Sequence, residues 1–133
     1  MLTLTRFSLF AILAVARSAA ADVPAGQPQR NILETHQQSG VPDKQIVLGT
    51  ASLPPGTAIG FHTHPGDEIG YVQKGTLILK TRGQPDRILK AGDTFVNARG
   101  AVHSLVAAPG GDGGVAVSTW IIDKDQPLAT PAP

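Results

Sequence analysis

The residues of this chain best suited to carry chemistry are His62, His64, Glu68 and His103. His62 and His64 stand two apart in a segment that reads as extended, so both side chains leave the same face of a strand. Two imidazoles on one face suit a shared metal ion. Pro65-Gly66 signals a turn, and a turn there brings the Glu68 carboxylate back toward the two imidazoles. His103, at the head of a later apolar run after Gly100, offers a third nitrogen. Each residue also has a plainer reading. A lone histidine before a strand is ordinarily a surface or hydrogen-bonded residue, and His36, the fourth histidine, is read that way. Glu68 alone would be a solvated carboxylate beside a turn. Taken together, the four favour a metal site built from nitrogen and oxygen ligands. The chain has no cysteine, which excludes disulfides, thiolate ligands and a thiol nucleophile.

The elements that must position these residues read as short strands. Apolar and β-branched runs occur at 45–53, 69–72, 76–80, 94–96, 103–107 and 115–122. Between them lie the turn signals Pro54-Pro55-Gly56, Pro65-Gly66, Lys74-Gly75, Gly83-Gln84-Pro85 and Ala91-Gly92, then a Gly-rich stretch over 109–114. Such spacing is the pattern of an all-β sandwich or barrel, and no segment after residue 30 keeps a helical period. Gly56, Gly75 and Gly92 are expected where the backbone needs positive φ. Phe61, Ile69, Tyr71 and Phe95 read as wall or core residues.

The glycine framework around the histidines resembles that of the cupin superfamily, in its small, single-domain, RmlC-like form. The first cupin motif, G-x5-H-x-H-x3,4-E-x6-G, is met in full by Gly56, His62, His64, Glu68 and Gly75. The second, G-x5-P-x-G-x2-H-x3-N, is met by Gly92, Gly100 and His103. Ala98 stands where proline is usual and Ala107 where asparagine is usual. These departures bear on the stiffness of the turn before Gly100 and on one polar group late in the strand, since neither position is a metal ligand in the family. The resemblance covers about residues 45–122. It implies a jelly-roll barrel, the double-stranded β-helix, holding one divalent metal through His62, His64, Glu68 and His103. The metal it implies is iron, manganese, nickel, copper or zinc. It further implies a homodimer paired through an outer sheet, for which the alternating Val115, Val117 and Thr119 are a candidate face.

At 133 residues and 41% apolar, without an internal repeat, the chain fits one small domain. Residues 1–21 read as a secretory signal peptide: an apolar run from Phe7 to Ala16 follows Arg6, and Ala19-Ala20-Ala21 supplies the small residues a signal peptidase needs. The apolar run is shorter than a membrane span, so no stable anchor is expected. An exported protein, periplasmic or secreted, follows. Residues 22–44 read as a leader and first strand, 45–122 as the cupin domain, and 123–133 as a tail crossing the surface or packing on a partner subunit. A net charge of +1 with no Lys/Arg cluster argues against nucleic acid as a partner.

Three histidines and a carboxylate on a divalent ion leave open positions for water, dioxygen or a chelating ligand. The favoured expectation is a mononuclear metal enzyme of the dioxygenase type acting on a small oxygen-rich chelator, with Glu68 doubling as proton acceptor. One alternative is a sugar or sugar-acid isomerase or lyase in which the metal only polarises a carbonyl. Another is a non-catalytic module that binds or senses a small ligand.

Overall fold

A computed structural model describes residues 26–133, and the expected signal segment lies outside them. Nine strands follow in order: β1 (Gln29–Gln37), β2 (Lys44–Leu53), β3 (Ala58–Thr63), β4 (Gly66–Thr81), β5 (Arg87–Lys90), β6 (Thr94–Asn97), β7 (His103–Ala107), β8 (Gly114–Asp123) and β9 (Thr130–Pro131). All pairings are antiparallel, and the described residues contain no helix. One wall runs β1-β2-β8-β4-β6, and the facing wall runs β9-β3-β7-β4-β5. The sheet curls through β4 into two facing walls, the double-stranded β-helix or jelly-roll barrel that the spacing of strands implies.

The strand common to both walls, β4, corrects the sequence reading. Residues 69–72 and 76–80 read as two strands split by a Lys74-Gly75 turn, yet they form one strand of 16 residues. A register shift between Val72 and Lys74 bends it, and Gly75 takes φ 77° beside it. A side chain at Gly75 would meet the Gly113 carbonyl at 2.0 Å, so glycine is required by space as well as by conformation. The bulge also changes which residues point inward. Before it Gly66, Glu68, Gly70 and Val72 are buried, and after it Leu77 and Leu79. Glu68 can therefore share the interior with the apolar second half of the same strand.

Alternation fills the barrel. β8 buries Ala116, Ser118, Trp120 and Ile122 and turns the residues between them outward. The larger core cluster includes Leu53, Val72, Leu77, Leu89, Phe95 and Leu105, while Val47, Trp120 and Ile122 form a second with Leu128 against them. Among the four aromatic or aliphatic residues expected in wall or core, only Phe95 is buried. Phe61, Ile69 and Tyr71 are 40–53% exposed, because an inward Glu68 sends its odd-numbered neighbours Ile69 and Tyr71 out. On that outer face Leu48, Thr119, Ile69 and Val96 stand side by side across four strands. Val115, Val117 and Thr119 lie half-buried along the middle of the same face.

Two departures from the second motif find their physical answer here. The turn at Ala98 closes without proline: Ala101 N donates to the Ala98 carbonyl, with Gly100 at φ 72°. Arg99 N donating to Asp67 and Gly100 N donating to the His64 carbonyl hold it in place. Ala107 takes its place in the core, 2% exposed. Among the described residues no helix is long and apolar enough to cross a membrane.

Candidate metal centre

His62 ends in the interior from β3 and pairs in register with His103, the first residue of β7. His64 follows β3 directly, and Glu68 comes from β4, where its register partners are Trp120 on one side and Asn97 on the other. Two cross-strand rows from opposite walls thus face each other inside the barrel. All four residues are buried, at 3–7% exposure. Ring centroids are 4.3 Å apart for His62 and His103, 4.9 Å for His62 and His64, and 5.0 Å for His64 and His103. One ligand nitrogen of each histidine lies within 4.8 Å of the other two, a cluster able to hold a metal ion. Glu68 stands beside that cluster and touches two of its members, with Oε2 at 3.3 Å from His64 Nε2 and 3.2 Å from His103 Nε2. His36 is exposed on β1 and takes no part.

The orientation of the rings is set by the backbone. His62 Nδ1 lies 2.8 Å from the Gly60 carbonyl, His103 Nδ1 2.9 Å from that of Ala101, and His64 Nδ1 2.5 Å from that of Leu128. A carbonyl only accepts, so each Nδ1 carries the hydrogen and each neutral ring keeps its lone pair on Nε2. His103 Nε2 then faces a Glu68 oxygen, and His64 Nε2 faces the same oxygen while also accepting from Trp120 Nε1. Acceptor against acceptor at 3.2–3.3 Å is favourable only with a cation between them, either a proton or a metal ion. The donor set fits a divalent transition metal: neutral imidazoles and a carboxylate, already oriented.

Burial and hydrogen bonding act on two members of the set, His62 and Glu68. Burial is the main cause that pushes His62 down to about 4, with His103, His64 and Arg30 adding to it against the Gly60 carbonyl, so the ring is neutral at neutral pH. Burial alone would raise the Glu68 carboxyl, but hydrogen bonds from His103 and His64, donated when a proton sits on Nε2, and from Asn97 outweigh it and hold the group well below the usual carboxylate range. Asn97 Nδ2 donates to Glu68 Oε2 at 2.8 Å. Trp120 Nε1 reaches His64 Nε2 at 3.2 Å, steadying the same ring from the opposite wall.

The cavity at this point is narrow, with about 20 Å³ open to a water-sized sphere. Its walls are largely apolar, and it is lined by His62, Glu68 and His103 together with Arg30, Asn97, Ser118 and Trp120. Sequence reading missed four contributors. Arg30 lies ahead of both motifs on a segment read as leader and first strand, and Asn97 sits just before the missing proline. Trp120 reads only as strand, while Leu128 belongs to the tail. Tail residues pack on their own chain: β9 pairs with β3, and Leu128 holds His64. Of these four, only Trp120 carried a sequence signal, being the single tryptophan.

A curled antiparallel barrel with histidines converging from β3, β7 and the bend after β3 defines a jelly roll able to hold a metal ion. Residues 49–121 match the cupin domain family, and the chain belongs to that family. It is 34% identical over 64 residues to the oxalate-binding protein of Thermotoga maritima, an alignment covering 47% of this chain and 52% of that one. The chain thus spans about half the length of the curated relative it matches. Among solved structures it is similar to a cupin-like protein from Thermotoga maritima, with TM-score 0.61 and 28% identity over 79% of this chain and 75% of the other. It is also similar to KdgF from Halomonas sp., with TM-score 0.57 and 27% identity over 74% of this chain and 83% of the other.

Proposed function

We propose that the chain is a mononuclear metal protein in which His62, His64, Glu68 and His103 hold one divalent transition metal, and that it acts as an enzyme of the dioxygenase type on a small oxygen-rich chelator. The observation that carries the metal assignment is the buried cluster of His62, His64 and His103, whose ligand nitrogens lie within 4.8 Å of one another, with the Glu68 carboxylate beside it. A bound metal would supply Lewis acidity, or redox chemistry with dioxygen, at its open positions. Around it the chain's own residues orient and exclude. The apolar walls keep bulk water from the cavity, Asn97 donates to Glu68, and Glu68 is the one carboxylate lining the cavity that could take a proton.

A second reading has a specific observation behind it. Apart from the proposed ligands and Arg30, nothing ionisable lines the cavity, so no separate base is at hand. Together with the similarity to an oxalate-binding protein, this favours a binding module without turnover. Metal analysis of the protein from its native compartment, followed by oxygen uptake by the iron-loaded form with a catechol, a flavonol or a diketone, separates the two. Oxygen consumption supports the enzyme. Ligand-dependent thermal shifts with no uptake under any metal overturn it in favour of the module, and turnover without oxygen points to an isomerase or lyase.

Export through residues 1–21 belongs to the same reading, and a mature N-terminus beginning near Asp22 would support it. The homodimer is proposed through the outer face that carries Leu48, Ile69 and Val96, which are 37%, 53% and 63% exposed.

A further inference from the structure

Arg30 is an unusual residue to find at the mouth of this cavity. It sits on β1 in register with Ala51, ahead of the family-matched residues, and lines the cavity together with His62, Glu68 and His103. Two surface clefts that open beside the cavity are lined by it as well, so its side chain stands between solvent and the centre. The guanidinium carbon lies 5.8 Å from the Trp120 ring centre, a cation–π contact with the inner wall. Its Nε is buried and has no hydrogen-bond partner among the described residues. No carboxylate forms a salt bridge with it among the described residues.

A buried guanidinium donor without an acceptor costs free energy, and it is retained where a ligand supplies the acceptor. The fork of an arginine matches a carboxylate, which it takes through charge-assisted hydrogen bonds. The surroundings point the same way. A divalent ion and Arg30 outweigh the single negative charge of Glu68, so the filled site carries net positive charge inside apolar walls and favours an anion.

We infer that Arg30 is the anion-recognition residue of this centre and that the ligand is a small carboxylate, one end bound at the metal and the acid group received by Arg30. This rests on the metal reading above and narrows its ligand from any oxygen-rich chelator to an acid.

The test uses zinc-loaded full chain, titrated calorimetrically with glycolate and with its neutral amide, glycolamide. Zinc itself prefers a carboxylate oxygen, so the readout is the change in the affinity ratio between wild type and Arg30→Gln. The expected result is a fall in the glycolate-to-glycolamide ratio of about ten- to a hundredfold in Arg30→Gln, with zinc content unchanged. Arg30→Lys, which keeps the charge and loses the fork, is expected to retain part of the ratio, and it replaces Arg30→Gln if that variant fails to fold. An unchanged ratio in a zinc-loaded, folded variant overturns the role of Arg30 and leaves the metal site standing. A wild-type protein that takes up no zinc or other divalent metal overturns the metal reading, and this inference with it.

Discussion

Two carboxylates of this protein, Glu68 and Asp123, are both held well below the usual range, and they do different work. Asp123 is half-buried at the end of β8, where Arg99 pairs with it through two hydrogen bonds of 2.7 and 2.8 Å and Lys44 joins from β2. Hydrogen bonding from Arg99 is the main cause of its lowered pKa, followed by Lys44. The group staples β2, β8 and the turn before β7. Each charge in it has found an opposite one. Glu68 is buried, and its surroundings are incomplete: His64 and His103 stand against its oxygen, and Asn97 Oδ1 and Arg30 Nε have no partner among the described residues. A lowered carboxylate marks favourable charge pairing wherever it occurs. What marks a site is the polar atoms left waiting.

That distinction can be broken at several points. The largest expected effect is at the ligands: His103→Ala should lower metal affinity by about a hundredfold or more, read by elemental analysis after dialysis. Full occupancy in that variant would sink the four-ligand site. Asn97→Ala removes the one neutral donor to Glu68 and should cost metal affinity about tenfold, measured by competition with a chromogenic chelator. Removing residues 126–133 takes the Leu128 carbonyl from His64 and should cost a similar factor, with the core transition retained. A truncated chain that binds metal as tightly as the full one would show that the tail plays no part in orienting that ring. On the outer face, Ile69→Asp should convert dimer to monomer in sedimentation without touching metal content, and a wild-type monomer would remove the dimer altogether.

The smallest effect is expected at Asp123. Asp123→Asn should leave metal affinity unchanged, and a loss equal to that of Asn97→Ala would erase the contrast between the two carboxylates. Its effect is on stability and depends on pH. The folded-state pKa is lowered from 3.8, so the ionised group stabilises the fold above that value and the contribution fades as pH falls below it. The gap in denaturation midpoint between wild type and Asp123→Asn should therefore be present at neutral pH, narrow in acid, and shrink in high salt at neutral pH.

What the sequence disclosed follows from how local each feature is. His62, His64 and Glu68 lie on one strand, one bend and the start of the next, so spacing alone brings them together. Their presence with Gly56 and Gly75 also carried the barrel. Arg30 and Leu128 reach the centre only through the pairing of β1 with β2 and of β9 with β3, which no spacing encodes. The run at Lys74-Gly75 looks like a turn because a bulge and a turn demand the same positive-φ glycine. Ile69 and Tyr71 could have been placed correctly. Once Glu68 is taken to point inward, period two obliges its odd-numbered neighbours on that strand to face out.

The long bent β4 also fixes an order of events in time. Its first half supplies Glu68 but is paired by β8, and the ring of His64 is aimed by Leu128, which follows β8 in the chain. A chain emerging from a ribosome or an export channel presents His62, His64 and Glu68 well before either partner exists. Loops of that length close slowly, so the pieces of the centre wait on the far end of the chain. Metal taken up early would meet loose ligands; the oriented cluster is complete only in a chain that has finished folding.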